Sequence, residues 1–227
     1  MLGALLSQPG LWDELAGCVL EVARDAHPNT AVAVCESLGA VASEALAVRE
    51  RAAAARSAEV ADKTAEGVED AARPASGEDH RAEGSDVVGE SPAFNLEVSV
   101  LETFSGAFST AHDASVSQAV LASLFAVVQR HAESFTAAWT PLLDLLPRVA
   151  LSAQPAVVAG GFRITQSLCN DFLDVVPRAQ LRPLIQVLGF HDCAALAWPM
   201  WPSLVSSLHP ALYHTLHPWR FVSWCPR

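Results

Sequence analysis

Three groups of residues in this chain have the types and the spacing that chemistry would need. His209, His214 and His217 lie close together with Cys193 and Cys225 on either side, and imidazole with thiolate is the donor set that zinc prefers. The spacing fits no standard finger, and His209 and His217 each precede a proline, so the set reads as His-Pro turns in an irregular tail and no metal is expected. Cys169 stands beside Asn170 and Asp171, with His131 elsewhere as a base, which is the inventory of a thiol nucleophile. Cys169 also falls on one apolar stripe with Phe162 and Phe172, where a buried thiol is inert, and a structural role is expected of it. Val157-Val158-Ala159-Gly160-Gly161 ahead of a helical pattern resembles a strand and phosphate loop. It has only two glycines, with neither GxGxxG nor Gly-Lys-Ser/Thr, so the pair is assigned to close helix packing. No catalytic residue, no cofactor and no enzymatic activity are expected.

The elements that position these residues are helices. Leu11, Leu15, Val19 and Val22 recur at steps of three and four, with Asp13 and Glu14 placed in the first turn, where the helix dipole favours carboxylates. The run stops at Asp25-Ala26-His27-Pro28, and a second follows through Val34, Leu38, Val41 and Leu46. After Leu46 the stripe fades into Arg49, Glu50, Arg51 and an alanine run, where the core is expected to end. Apolar periodicity resumes at Phe94 with Leu96, Val100, Leu101, Phe104 and Phe108. It breaks at Ala111-His112-Asp113 and continues through Val116, Val120, Leu124 and Val128. A third pair follows: Trp139, Leu142, Leu143, Leu146 and Val149, then Val158, Phe162, Thr165, Cys169 and Phe172, with Pro155 in the first turn. A seventh helix carries Leu181, Leu184, Ile185 and Leu188. The core of these repeats is assigned to Leu15, Val19, Phe104, Leu124, Trp139, Leu143, Phe162 and Phe172. Phe135 and Trp139, at the head of the fifth helix, are read as core before ligand site.

Composition agrees with this. Of 227 residues 51% are hydrophobic, which excludes disorder over the whole length, and a net charge of −11 with no basic run makes nucleic acid an unlikely partner. Five scattered cysteines, Cys18, Cys35, Cys169, Cys193 and Cys225, read as buried thiols of a reducing compartment. The prolines at 199, 202, 210 and 218 break the longest uncharged stretch, so no membrane-spanning helix is expected. Residues 63–93 hold eight acidic and three basic side chains and are expected to form an acidic disordered loop. The expected organisation is a first helical hairpin with a polar helical extension over 1–62, that loop over 63–93, helical repeats over 94–190, and an irregular Trp/Pro/His-rich tail over 191–227. Hairpins recurring at roughly 40 residues predict an all-α fold, a HEAT or armadillo-like α-solenoid.

Three segments carry a family resemblance. They are Leu11-Trp12-Asp13-Glu14-Leu15 through His27-Pro28-Asn29, then His131-Ala132-Glu133-Ser134-Phe135 through Trp139-Thr140-Pro141-Leu142-Leu143, and Gly161-Phe162-Arg163 through Asp171-Phe172-Leu173 and Pro177. Taken in order, they resemble the C-terminal half of the Mon-two Golgi trafficking proteins, helical scaffolds related to the BIG-type Arf exchange factors without the Sec-seven domain. The resemblance covers residues 11–189 apart from the acidic stretch, and implies a piece of a longer scaffold. It further implies a non-enzymatic role in vesicle-mediated protein transport between endosomes and the Golgi, peripheral at trans-Golgi and endosome membranes. Protein partners implied are a Dopey-like scaffold, an Arf-like GTPase or flippase machinery. Self-association is expected as well.

Two other readings stand beside this one. One is a stand-alone helical domain that binds a ligand between its helices. The other is a membrane-surface module in which Trp198, Trp201, Trp219 and Trp224 contact lipid or a partner.

Overall fold

A computed structural model of the chain describes residues 9–66 and 94–195. Most of the acidic stretch at 63–93 therefore lies outside the described residues, as do the four tail tryptophans and His209, His214, His217 and Cys225. The described residues form seven α-helices and one 3-10 turn, with no strand among them.

Helix α1, Pro9–Asp25, starts on a proline, whose fixed φ and missing N–H suit a first helical position. It therefore begins before Leu11, and its first turn holds no acidic residue: Asp13 and Glu14 are exposed further along. The buried stripe is Trp12, Val19 and Ala23; Leu15 is only partly buried and Leu11 is 40% exposed. Trp12, one position off the expected stripe, takes the core place, burying its large aromatic surface while its indole N–H donates to Thr103 Oγ1 at 3.2 Å.

Helix α2, Pro28–Glu66, is 39 residues long. It opens after His27, whose Nδ1 accepts the Asn29 N–H at 3.3 Å, and buries Ala31, Cys35, Leu38, Ala42, Ala45 and Leu46. From residue 51 to 59 every residue is exposed. The helix persists there on alanine's high propensity and on bonds such as Arg51 to Glu44 at 3.0 Å. The polar extension thus remains helical four residues past the expected end at 62. Over residues 28–59 α2 is also long and apolar enough to cross a membrane by length and composition, and 44% of its most apolar window is buried within the protein.

Helix α3, Leu96–Thr110, is capped by the Asn95 side chain accepting the Glu97 N–H at 3.1 Å. After Ala111 and His112, α4, Ala114–His131, is capped by Asp113, whose Oδ1 accepts the Ser115 N–H at 2.7 Å and O–H at 2.6 Å. Those two bonds hold the Asp113 carboxyl below its usual range. Helix α5, Trp139–Ala150, follows the 3-10 turn Ala132–Ser134. Helix α6, Pro155–Asp171, again begins with proline, and α7 spans Arg178–Ala195.

Most neighbours in sequence pack together, α4 and α5 excepted, and each helix also packs on the next but one. Helices α1, α3, α5 and α7 form one row and α2, α4 and α6 the other. Side-chain hydrogen bonds tie successive members of the first row: Trp12 to Thr103, Arg148 to Ser109 at 2.8 Å and to Ser105, and Gln180 to Thr140 at 3.0 Å. In the second row small residues permit close approach. A Cβ on Gly39 of α2 would lie 2.8 Å from Ser123 Cβ of α4, and one on Gly160 of α6 would lie 3.2 Å from Leu121. Gly160 and Gly161 are interior residues of α6, so the segment is helical and not a strand with a phosphate loop. One apolar cluster runs through all seven helices.

Candidate functional site

The alternation of rows brings the α1–α2, α3–α4 and α5–α6 turns to one edge of the described helices and the α4–α5 and α6–α7 links to the other. A polar cluster on each edge bears on function.

On the link edge, the Glu97 carboxylate is fully buried at the start of α3. Its Oε2 accepts the backbone N–H groups of Thr136 (2.9 Å), Ala137 (2.7 Å) and Ala138 (3.1 Å), its Oε1 accepts the Thr136 hydroxyl at 3.1 Å, and Arg49 of α2 pairs with it. The three N–H groups lie at the entry to α5, whose N-cap Ala138 has no capping side chain of its own. Glu97 therefore caps a helix distant in sequence, and its charge meets the positive end of the α5 dipole. Burial alone would push this carboxyl up; the bonds from Ala137, Arg49 and Thr136 outweigh it and hold the carboxyl below its usual range.

Beside it, Glu50 Oε1 accepts from His131 Nδ1 at 2.7 Å and from the Ser134 hydroxyl. The Nε2 of His131 is buried and has no hydrogen-bond partner among the described residues. Serine, histidine and glutamate are thus adjacent, but not in nucleophile order: Ser134 donates to the carboxylate and to the His131 carbonyl, and not to the imidazole. The arrangement is a clamp. Two carboxylates fasten both ends of the segment between α4 and α5 to α2 and α3. Arg49 and Glu50, where the core was expected to end, supply one side of it.

On the turn edge, a cleft of about 270 Å³ opens where the α3–α4 and α5–α6 turns meet. Its floor includes Phe108 and Val157, and its polar lining is Ser109, His112, Ser117, Arg148, Ser152 and Gln154. Arg148 donates to Ser109 Oγ and to Ser105 Oγ, and pairs with no carboxylate among the described residues.

Of the eight expected core residues, Val19, Phe104, Leu124, Trp139, Leu143 and Phe172 belong to the apolar cluster, Phe162 is buried outside it, and Leu15 packs on its margin. Phe135 and Trp139 meet edge to face at 5.9 Å inside that core. Cys169 is fully buried, and burial pushes its thiol up to about 12, so it holds no thiolate at neutral pH. Its supposed base, His131, is bound to Glu50, and Asp171 accepts from Ser167 at 3.0 Å. Cys35 is buried as expected and its thiol is raised, by burial and then by the Glu36 charge. Cys18 departs from the expectation of buried thiols: it is exposed, one position before the buried Val19 on α1. Among the described residues no group of three or more His, Cys, Asp or Glu could hold a metal ion.

Neither cluster was visible as a motif. Glu97 shows only as a carboxylate two residues after an N-cap, and its partners lie 39 to 48 positions away. The sole local hint was Arg49-Glu50, a charged pair one turn beyond the last core leucine. No known protein family, no curated protein and no solved structure matches the chain.

Proposed function

We propose that this chain is a non-enzymatic scaffold, a short α-solenoid of HEAT or armadillo-like hairpins that binds protein partners along its surface. The observation that carries this reading is the packing of each helix on the next but one, in two rows around one continuous apolar core. Stacked hairpins bury their faces in this way, and a stack presents long surfaces suited to other proteins. In keeping with the Mon-two resemblance, we assign its role to protein transport between endosomes and the Golgi. Its place would be peripheral, at trans-Golgi and endosome membranes, with a Dopey-like scaffold, an Arf-like GTPase or flippase machinery as partners.

Fluorescently tagged chain expressed in cells tests the assignment. Enrichment on membranes that also carry a trans-Golgi marker, together with co-precipitation of a Dopey-like scaffold, is the expected result. Uniform distribution with no such co-precipitation would overturn the trafficking role while leaving the stacked-hairpin reading to be judged by an experimental structure.

A further inference from the structure

We infer that the cleft on the turn edge is a binding site for a small phosphate monoester, an inference independent of the scaffold reading. A guanidinium held by two serines lines a cleft whose other polar walls carry no carboxylate. Arg148 has five N–H groups, of which its bonds to Ser109 and Ser105 use two, and its exposed side chain lines the cleft. The two serines also hold the guanidinium in place, which lowers the ordering cost of binding. His112 and Gln154 line the same cleft with exposed polar side chains, and the Ser152 hydroxyl beside them accepts the Gln154 N–H at 3.2 Å. No carboxylate lines the cleft, although acidic residues outnumber basic ones in the chain by 25 to 14. The nearest acid in sequence, Asp113, is engaged by Ser115.

One fixed positive charge among polar side chains, with no carboxylate in the lining, suits a ligand that is negatively charged and rich in acceptors. A phosphate monoester brings three acceptor oxygens and close to two negative charges near neutral pH. Guanidinium recognises such a group through paired N–H donors. The volume of about 270 Å³ admits a phosphate with a small substituent, and Phe108 and Val157 offer that substituent an apolar floor. Two sources share this chemistry: a free small molecule, or a lipid headgroup presented by a bilayer.

The test uses the full chain with three probes: inorganic phosphate, glycerol phosphate, and phosphatidylcholine vesicles with and without phosphatidic acid. Saturable binding of the soluble probes by calorimetry identifies a small-molecule site. Co-sedimentation confined to vesicles with phosphatidic acid identifies a headgroup site. In either case Arg148→Gln weakens binding by about tenfold or more, and Arg148→Lys, which keeps charge but loses the fork, weakens it less. Should Arg148→Gln fail to fold, His112→Ala with Ser152→Ala removes two of the other donors and is expected to weaken binding severalfold. Failure of all three probes to bind, or binding that these substitutions leave unchanged, overturns the inference.

Discussion

Glu97 concentrates more polar interactions than any other described side chain: three backbone N–H groups, one hydroxyl and one guanidinium meet its two oxygens. Glu97→Gln keeps the shape but leaves Arg49 without its partner and sets an amide N–H₂ against donors. Breaking a buried pair in this way costs roughly 3 kcal/mol, toward the lower end of the usual range because Arg49 is partly exposed. The loss is read as a fall in the urea midpoint at neutral pH. The sign of its pH dependence follows from the carboxyl being held below 4.5, its ordinary value, in the folded chain. As the pH falls below that value the unfolded chain takes up the proton first, so the wild type loses stability and the gap to Glu97→Gln closes. A gap that stays constant down to acid pH would show that the charge is not what stabilises the clamp. Little of this could be read from sequence. Glu97 follows an N-cap asparagine in a position that also suits a solvated first-turn acid, and only the fold brings residues 136–138 to it.

Between elements, the second row depends on small side chains. Gly39 faces Ser123 so closely that an added Cβ would meet both the Cβ and the Cα of the serine, neither of which a rotamer change can move. Gly39→Ala is expected to destabilise by about 1–2 kcal/mol, strain against α4 outweighing the gain in helix propensity. A double-mutant cycle with Ser123→Gly isolates the contact. The two changes should couple by about 1 kcal/mol or more in thermal melts, the second relieving the first, whereas simple additivity would show that α2 and α4 do not touch there. At this scale the sequence was informative. The breaks at residues 26–28, 111–113 and 177 are where helices end or begin, because proline and short polar caps act locally. The helix starts were harder to place: α1 opens on Pro9, ahead of its apolar stripe, and its buried face turns toward Trp12, whose partner Thr103 lies on another helix.

At the scale of the whole molecule, the proposed hairpin stack gives the first and last described helices one face each with no neighbour among the described residues. At one end Leu11 of α1 is 40% exposed; at the other Val175 and Ile185 are 39% and 44% exposed. The isolated chain is therefore expected to self-associate at micromolar concentration, and Ile185→Glu should shift it toward monomer in light scattering. A monodisperse monomer for the wild type would contradict this. The all-helical class followed from composition and periodicity, since local propensity and one-face burial determine it. The pairing of rows and the two edge clusters did not, because they join residues far apart in sequence. One consequence concerns the connection from α2 to α3. The Arg49–Glu97 pair and the shared core already hold the body of α2 to the start of α3, independently of the residues that join them. The entropy of closing a loop grows only with the logarithm of its length, about 0.6 kcal/mol per doubling. Insertions and deletions between Glu66 and Phe94 thus have little thermodynamic leverage on the helical stack, and this stretch can vary in length while the fold stays the same.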